Sequence, residues 1–439
     1  MTASRSTALL TDRYELTMLQ ATLRNGTAGR RSVFELFARR LSGGRRYGVV
    51  AGIGRALDAL EDFRFGEDEL AWLREAEVVD ADTLAWLADY RFSGSIWGYP
   101  DGEVYFPQSP VLIVEGTFAE AVVLETLLLS VLNHDSAVAT AASRMITAAG
   151  DRPCIEMGSR RTHEASAVAA ARSAYIAGFA ATSNLEAGRS YGIPTTGTSA
   201  HSFTLLHDTE RDAFQAQIAS LGPGTTLLVD TYDVPEAIRT AVGLAGAELG
   251  GVRLDSGDLV SLARAVRSQL DDLGATNTRI TVTSDLDEHA IAALAVAPVD
   301  GYGVGTSLVT GSGVPTSGFV YKLVSRAGDD GRMLSVAKKS PDKTSVGGRK
   351  YALRRLGRSG RAEAEVLGVG TPPDRDENDR PLLVELVRDG ERIHTEPLVA
   401  ARDRLRASLA ELPAAATQLS KGDPVIDTVY ETGTDGGTA

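Results

Sequence analysis

The 439-residue chain has one cysteine, Cys154. A single thiol excludes an intramolecular disulfide and any zinc site built on cysteines, and it fits a reducing cytoplasm. Cys154 lies in an apolar strand pattern, as a small buried residue rather than a nucleophile. Positive charge is scarce as well. Lys and Arg number 45 against 58 Asp and Glu, a formal net charge of −13. That balance argues against nucleic acid or an anionic membrane as the main partner, yet it permits a local basic pocket. No HxxxH or paired-histidine spacing points to a transition-metal site. The amino terminus lacks the charged-then-apolar pattern of a signal peptide. Unbroken hydrophobic runs are missing too. The most apolar region, 119–149, is interrupted by Glu120, Glu125, His134, Asp135 and Arg144, so it reads as buried helices and not a membrane span.

The length suggests two or three domains. Residues 1–118 form a mixed α/β region. Thr11 or Asp12 caps a first helix, and Ser32 to Phe37 reads as a strand with one drier face. From 119 to 318 a βα rhythm takes over, with strands expected at 153–158, 176–183, 193–198, 226–231, 251–255, 279–285 and 300–304. Repeated βα units imply a parallel sheet. Each expected strand ends in polar residues, as a barrel requires and an open doubly wound sheet does not. The fold is therefore read as α/β, an irregular, roughly seven-stranded β/α barrel with an N-terminal α/β domain. A mostly antiparallel C-terminal region, 319–428, packs its strands and closing helix on the N-terminal domain. Residues 429–439 are expected to be a disordered tail.

The segment Val252 to Leu259 runs from a buried strand into an acidic, glycine-bearing turn and then a helix. Helix amino ends favour phosphate. The carboxylates of Asp255 and Asp258 add sugar hydroxyls or magnesium as partners, unless Asp258 is a plain N-cap. Arg253 sits inside an apolar strand, where an unpaired charge is costly, so it needs an acidic partner or an anionic ligand. Arg160 and Arg161 follow another strand and offer planar forks for carboxylate or phosphate, one of the two being expected on a helix surface. Gly303, Gly305, Thr306 and Ser307 form a strand-end turn suited to an anion, as do Ser256 and Gly257. His201 follows Thr198 at a strand end. His163, His207 and His289 lie in more polar surroundings and are background.

Taken in order, Leu10 to Tyr14, Glu156 to Arg161, Gly197 to Ser202, Val252 to Asp258, Gly303 to Ser307 and Tyr321 to Val324 resemble the nicotinate phosphoribosyltransferases, with weaker similarity through Lys338-Lys339-Ser340 and Gly348-Arg349-Lys350. The resemblance implies that nicotinate and phosphoribosyl pyrophosphate give nicotinate mononucleotide and pyrophosphate, coupled to ATP hydrolysis, within NAD salvage. It implies magnesium, ATP as cosubstrate, and a homodimer with sites near the interface. His201 matches the histidine phosphorylated from ATP. Tyr14, Thr198 and Arg253 match nicotinate contacts, and Thr306 matches a phosphoribosyl contact. Ser183 stands where nicotinamide-specific relatives carry an aspartate that would repel nicotinate. The alternatives are a nicotinamide- or quinolinate-specific transferase, an aldolase, for which no strand-end lysine is found, or a sugar-phosphate binding protein. Some family members carry a cysteine-rich metal knuckle near the carboxyl end. This chain cannot, so its carboxyl-terminal region must be stabilised otherwise.

Overall fold

The computed structural model describes residues 6–338 and 345–432. Lys339, Ser340 and the end of the expected tail, 433–439, lie outside them. The chain forms two compact units, one of residues 1–137 and 316–439, the other of Val138–Pro315. The N- and C-terminal regions, expected as separate domains, thus share one unit. Its limits also fall at 137 and 316 rather than 118 and 319.

In the first unit, seven antiparallel strands run in the order Met333–Ser335, Phe319–Ala327, Arg31–Ala38, Leu112–Thr117, Ser95–Gly98, Val384–Arg388 and Glu391–Arg392. The central strand Arg31–Ala38 is buried from Ser32 onward, so it has no wet face. Phe34 and Leu36 enter the main core, whereas Val33 packs with Ile113 and Val324 in a smaller cluster. The single-dry-face expectation fails because apolar residues cover both faces. Glu35 survives burial by pairing with Lys350 at 2.7 Å. The segment Asp427–Thr432, expected to lead into a tail, is a strand. It pairs in parallel with Ala362–Val369 and satisfies its backbone there.

No disulfide can tie this unit together, and charges do so instead. Arg354 is fully buried and donates from Nη2 to Glu365 Oε2 (3.0 Å) and to the Val104 carbonyl (2.8 Å). Tyr99 and Ser109 donate to the other oxygen of Glu365. Arg380 bridges Glu103 at 2.6 Å and Glu411 at 2.7 Å, linking an early loop, a late strand and the helix Leu398–Glu411. Burial alone would protonate Glu103, but its bonds to Arg380 and the nearby Arg354 hold it below the usual carboxylate range.

The second unit carries six parallel strands in the order Ala181–Thr182, Cys154–Glu156, Gly301–Val304, Arg279–Ser284, Gly251–Leu254 and Thr226–Leu228. Six of the seven expected strands are present. The seventh, 193–198, makes a single parallel bridge, Thr182 to Thr195. Among the described residues no pairing joins it to Thr226–Leu228, so the sheet follows a barrel's order with one seam unpaired. The helices start where acidic caps allow. Asp233, Asp258 and Asp287 each accept backbone N–H groups at a helix amino end. The apolar stretch Phe118–Ala149 is long enough to cross a bilayer, but 67% of its most apolar window is buried inside the protein.

Replacing Glu365 by Ala removes the 3.0 Å counter-charge of the buried Arg354 and leaves it the longer 3.8 Å contact to Glu103, which Arg380 shares. Denaturant unfolding should register a loss of about 3–5 kcal/mol, and the double variant Arg354→Met, Glu365→Leu should recover most of it.

Candidate active site

The carboxyl ends of the parallel strands open onto a cavity of about 480 Å³. Arg160, Arg161, Ser183, Thr198, Arg253, Asp255, Gly303, Gly305 and Thr306 line it, so both arginines are in the wall, where one was expected on a helix surface. His201, Ser256, Gly257, Asp258 and Ser307 are not in its wall. Tyr14 belongs to the other unit, half-exposed on the helix Arg13–Arg24.

Arg253 donates from Nη1 to Thr198 Oγ1 at 2.7 Å, while its Nε is buried with no hydrogen-bond partner. Burial lowers its pKa. Asp255 and Asp230 act against that, and the like charge of Arg160 adds to it. An anion in the cavity would offset that desolvation and could occupy the unused Nε–H. Asp255 is steadied by Thr283, whose hydroxyl donates to Oδ1. Arginines and carboxylates therefore face the same space.

His201 lies next to this wall. Its Nε2 is 3.1 Å from Asp230 Oδ1, and Asp230 is almost wholly buried. The other oxygen of Asp230 accepts the Asp255 N–H (2.9 Å) and the Ser256 hydroxyl (2.7 Å). Burial opposes its ionisation, but these bonds and His201 hold its carboxyl below the usual range. An ionised carboxylate only accepts, so Nε2 carries a proton, and in the neutral imidazole Nδ1 is then the nitrogen with the lone pair. Ser256 thus serves the turn through Asp230 and Gly257 through its left-handed φ of 90°. The plain-cap reading of Asp258 also holds in this structure. Its carboxylate accepts from Ser261 N and Oγ.

Glu156, fully buried, joins the first two strand ends. It accepts from Gly158 N and Thr182 Oγ1, and Asn184 closes the loop by donating to Ser159 Oγ at 3.0 Å. Sequence reasoning missed Asp230, Thr283 and Glu156 as site residues. Asp230 stood in a polar strand end, and Glu156 is a charge in an apolar strand, the same signal that marked Arg253.

The fold and the site together define an α/β protein whose parallel strands end at a cavity lined by arginines and carboxylates, with a histidine held by a carboxylate next to its wall. The model of the nicotinate phosphoribosyltransferase (NAPRTase) N-terminal domain matches residues 9–133. The chain is 57% identical over 429 residues to the nicotinate phosphoribosyltransferase pncB1 of Mycobacterium tuberculosis, covering 96% of this chain and 94% of that one. It is 38% identical over 365 residues to the Bacillus subtilis nicotinate phosphoribosyltransferase, covering 81% and 74%. Human nicotinic acid phosphoribosyltransferase superposes with a TM-score of 0.81 at 26% identity, covering 96% and 97% of the two chains. The chain belongs to the nicotinate phosphoribosyltransferase family.

Asp230→Ala removes all three bonds at once. Hydrogen exchange at the Asp255 amide should then speed up by roughly ten- to a hundredfold, the loss of a charge-assisted bond of about 1.5–3 kcal/mol. In the unaltered protein this bond should persist above the ordinary Asp value near 4 and fail only as pH falls through the lowered folded value.

Proposed function

We propose that this protein transfers the phosphoribosyl group from phosphoribosyl pyrophosphate to nicotinate, releasing pyrophosphate, with ATP hydrolysis coupled through a phosphohistidine at His201. The observation that carries the reading is one cavity wall with Arg253, Arg160, Asp255 and the Gly303–Thr306 turn, next to a histidine fixed by Asp230. Arg253 and Arg160 pair with the nicotinate carboxylate, and Ser183 leaves that carboxylate unopposed. Departure of pyrophosphate leaves positive charge on the sugar, which the Asp255 carboxylate stabilises. Thr306 and the glycine turn receive phosphate oxygens, with Arg161 beside them. Nδ1 of His201 takes the phosphoryl group.

Magnesium fits as an ion carried by substrate phosphates, since it keeps waters and phosphate oxygens as most of its ligands. Asp255, in the wall, would supply a protein oxygen, and the ion would neutralise leaving-group charge; Asp258, also a candidate from sequence, is taken up in capping its helix. A cytoplasmic homodimer belongs to this reading. So does closure of the seam between 193–198 and Thr226–Leu228 into a full barrel.

Rates on nicotinate, nicotinamide and quinolinate, with and without ATP, test the proposal. Nicotinate should be preferred and ATP should stimulate it. A preference for either other pyridine would defeat the reading. Ser183→Asp should lower kcat/KM for nicotinate on the order of a hundredfold, since an opposing carboxylate costs several kcal/mol. His201→Ala should abolish the ATP stimulation while leaving unstimulated transfer measurable.

A further inference from the structure

Serines, threonines, arginines, aspartates and glycines make up most of the cavity wall. Met157 is the one large apolar side chain among the described residues that line it. A flat aromatic substrate gains little from polar groups on its faces, so this side chain is the natural support for a ring. Met157 follows directly on the strand Cys154–Glu156, and its N–H donates to the Val304 carbonyl at 2.8 Å. Its thioether lies over Gly303. A Cβ placed at 303 would stand 2.7 Å from Sδ, 3.2 Å from Cε and 2.5 Å from Thr283 Cγ2. A side chain at 303 would therefore crowd both Thr283 and the sulfur.

We propose that oxidation of Met157 by a peroxide closes the site to the aromatic ring of the substrate. The proposal rests on the nicotinate reading above. A sulfur lone pair attacks one oxygen of hydrogen peroxide. The S–O bond forms as the O–O bond breaks, and the departing hydroxide takes the remaining proton and leaves as water. Sulfur loses two electrons, and the peroxide is reduced by two. Met157 and Gly303 share the cavity wall, so an oxygen added to this sulfur puts a polar group at the space where the ring would rest. Of the described sulfurs, Met18, Cys154, Met145 and Met333 are not among the residues that line the cavity. Cys154 is buried, and burial pushes its thiol up to about 12, so the reactive thiolate is scarce. Met145 is fully buried. Met333 is exposed on a strand of the other unit and serves as an internal control.

The test begins with the untreated protein, whose turnover of nicotinate reports on the functional reading alone; the steps after it use whichever pyridine that protein turns over. After hydrogen peroxide, peptide mapping should place one added oxygen on Met157, and saturating pyridine should protect it. KM for the pyridine should rise roughly tenfold or more, with KM for phosphoribosyl pyrophosphate unchanged. Met157→Leu, judged against its own untreated rate, should show no peroxide response. Met333→Leu should respond as the parent does. Inactivation with Met157 unmodified, an equal response in Met157→Leu, or a sulfoxide at 157 with unchanged KM would each overturn the proposal.

Discussion

One buried carboxylate, Asp230, holds the candidate site together. Its two oxygens accept from His201, from the Asp255 backbone and from the Ser256 hydroxyl, three groups on two separate chain segments. Position, tautomer and turn geometry are therefore not independent here. Phosphorylation at Nδ1 would change the basicity of Nε2, and so the hold that Asp230 has on the turn bearing Asp255. In the proposed reaction this gives ATP a physical route to the sugar-binding wall without any large movement. The route exists because Asp230 is ionised and sheltered, which makes each of its bonds expensive to lose.

The other unit meets a different constraint. Its chain segments come from both ends of the sequence, and neither a disulfide nor a cysteine-ligated metal is available to join them. Buried charges take that part. Arg354 and Arg380 draw together Glu103, Glu365 and Glu411, with Tyr99, Ser109 and Ser408 filling remaining acceptor positions. Such a network adds less stability than an apolar core of the same volume would. It does fix which strand lies beside which, because any other register leaves a charge buried and unpaired.

Much of this was legible in the sequence. Six parallel strands fall where apolar runs end in polar turns, and the acidic caps at 233 and 258 stand where helical periodicity begins. Arg253 stood out as a charge in an apolar strand, and it does line the cavity. The failures have physical causes. The segment 193–198 has strand-like composition, but pairing is a tertiary event, and only Thr195 finds a partner. Asp427–Thr432 looks like a polar terminus because its edge is satisfied by Ala362–Val369, more than fifty residues earlier in the chain. Asp230 was passed over because a lone aspartate at a strand end is ambiguous until its hydrogen-bond partners are known. Gly303 was read as a phosphate glycine, and it lines the cavity with the Met157 sulfur packed beside it.

The claim on which the rest turns is that Asp230 readies His201 for phosphorylation and couples it to the substrate wall. The most direct measurement is the acid-labile phosphoryl group carried by His201 after incubation with ATP, in the parent protein and in Asp230→Asn, before and after adding nicotinate with phosphoribosyl pyrophosphate. The account predicts phosphoryl on Nδ1 in the parent, discharge on adding both substrates, and a strongly reduced level in Asp230→Asn. Equal phosphorylation in the two proteins, or phosphoryl on Nε2, would contradict it.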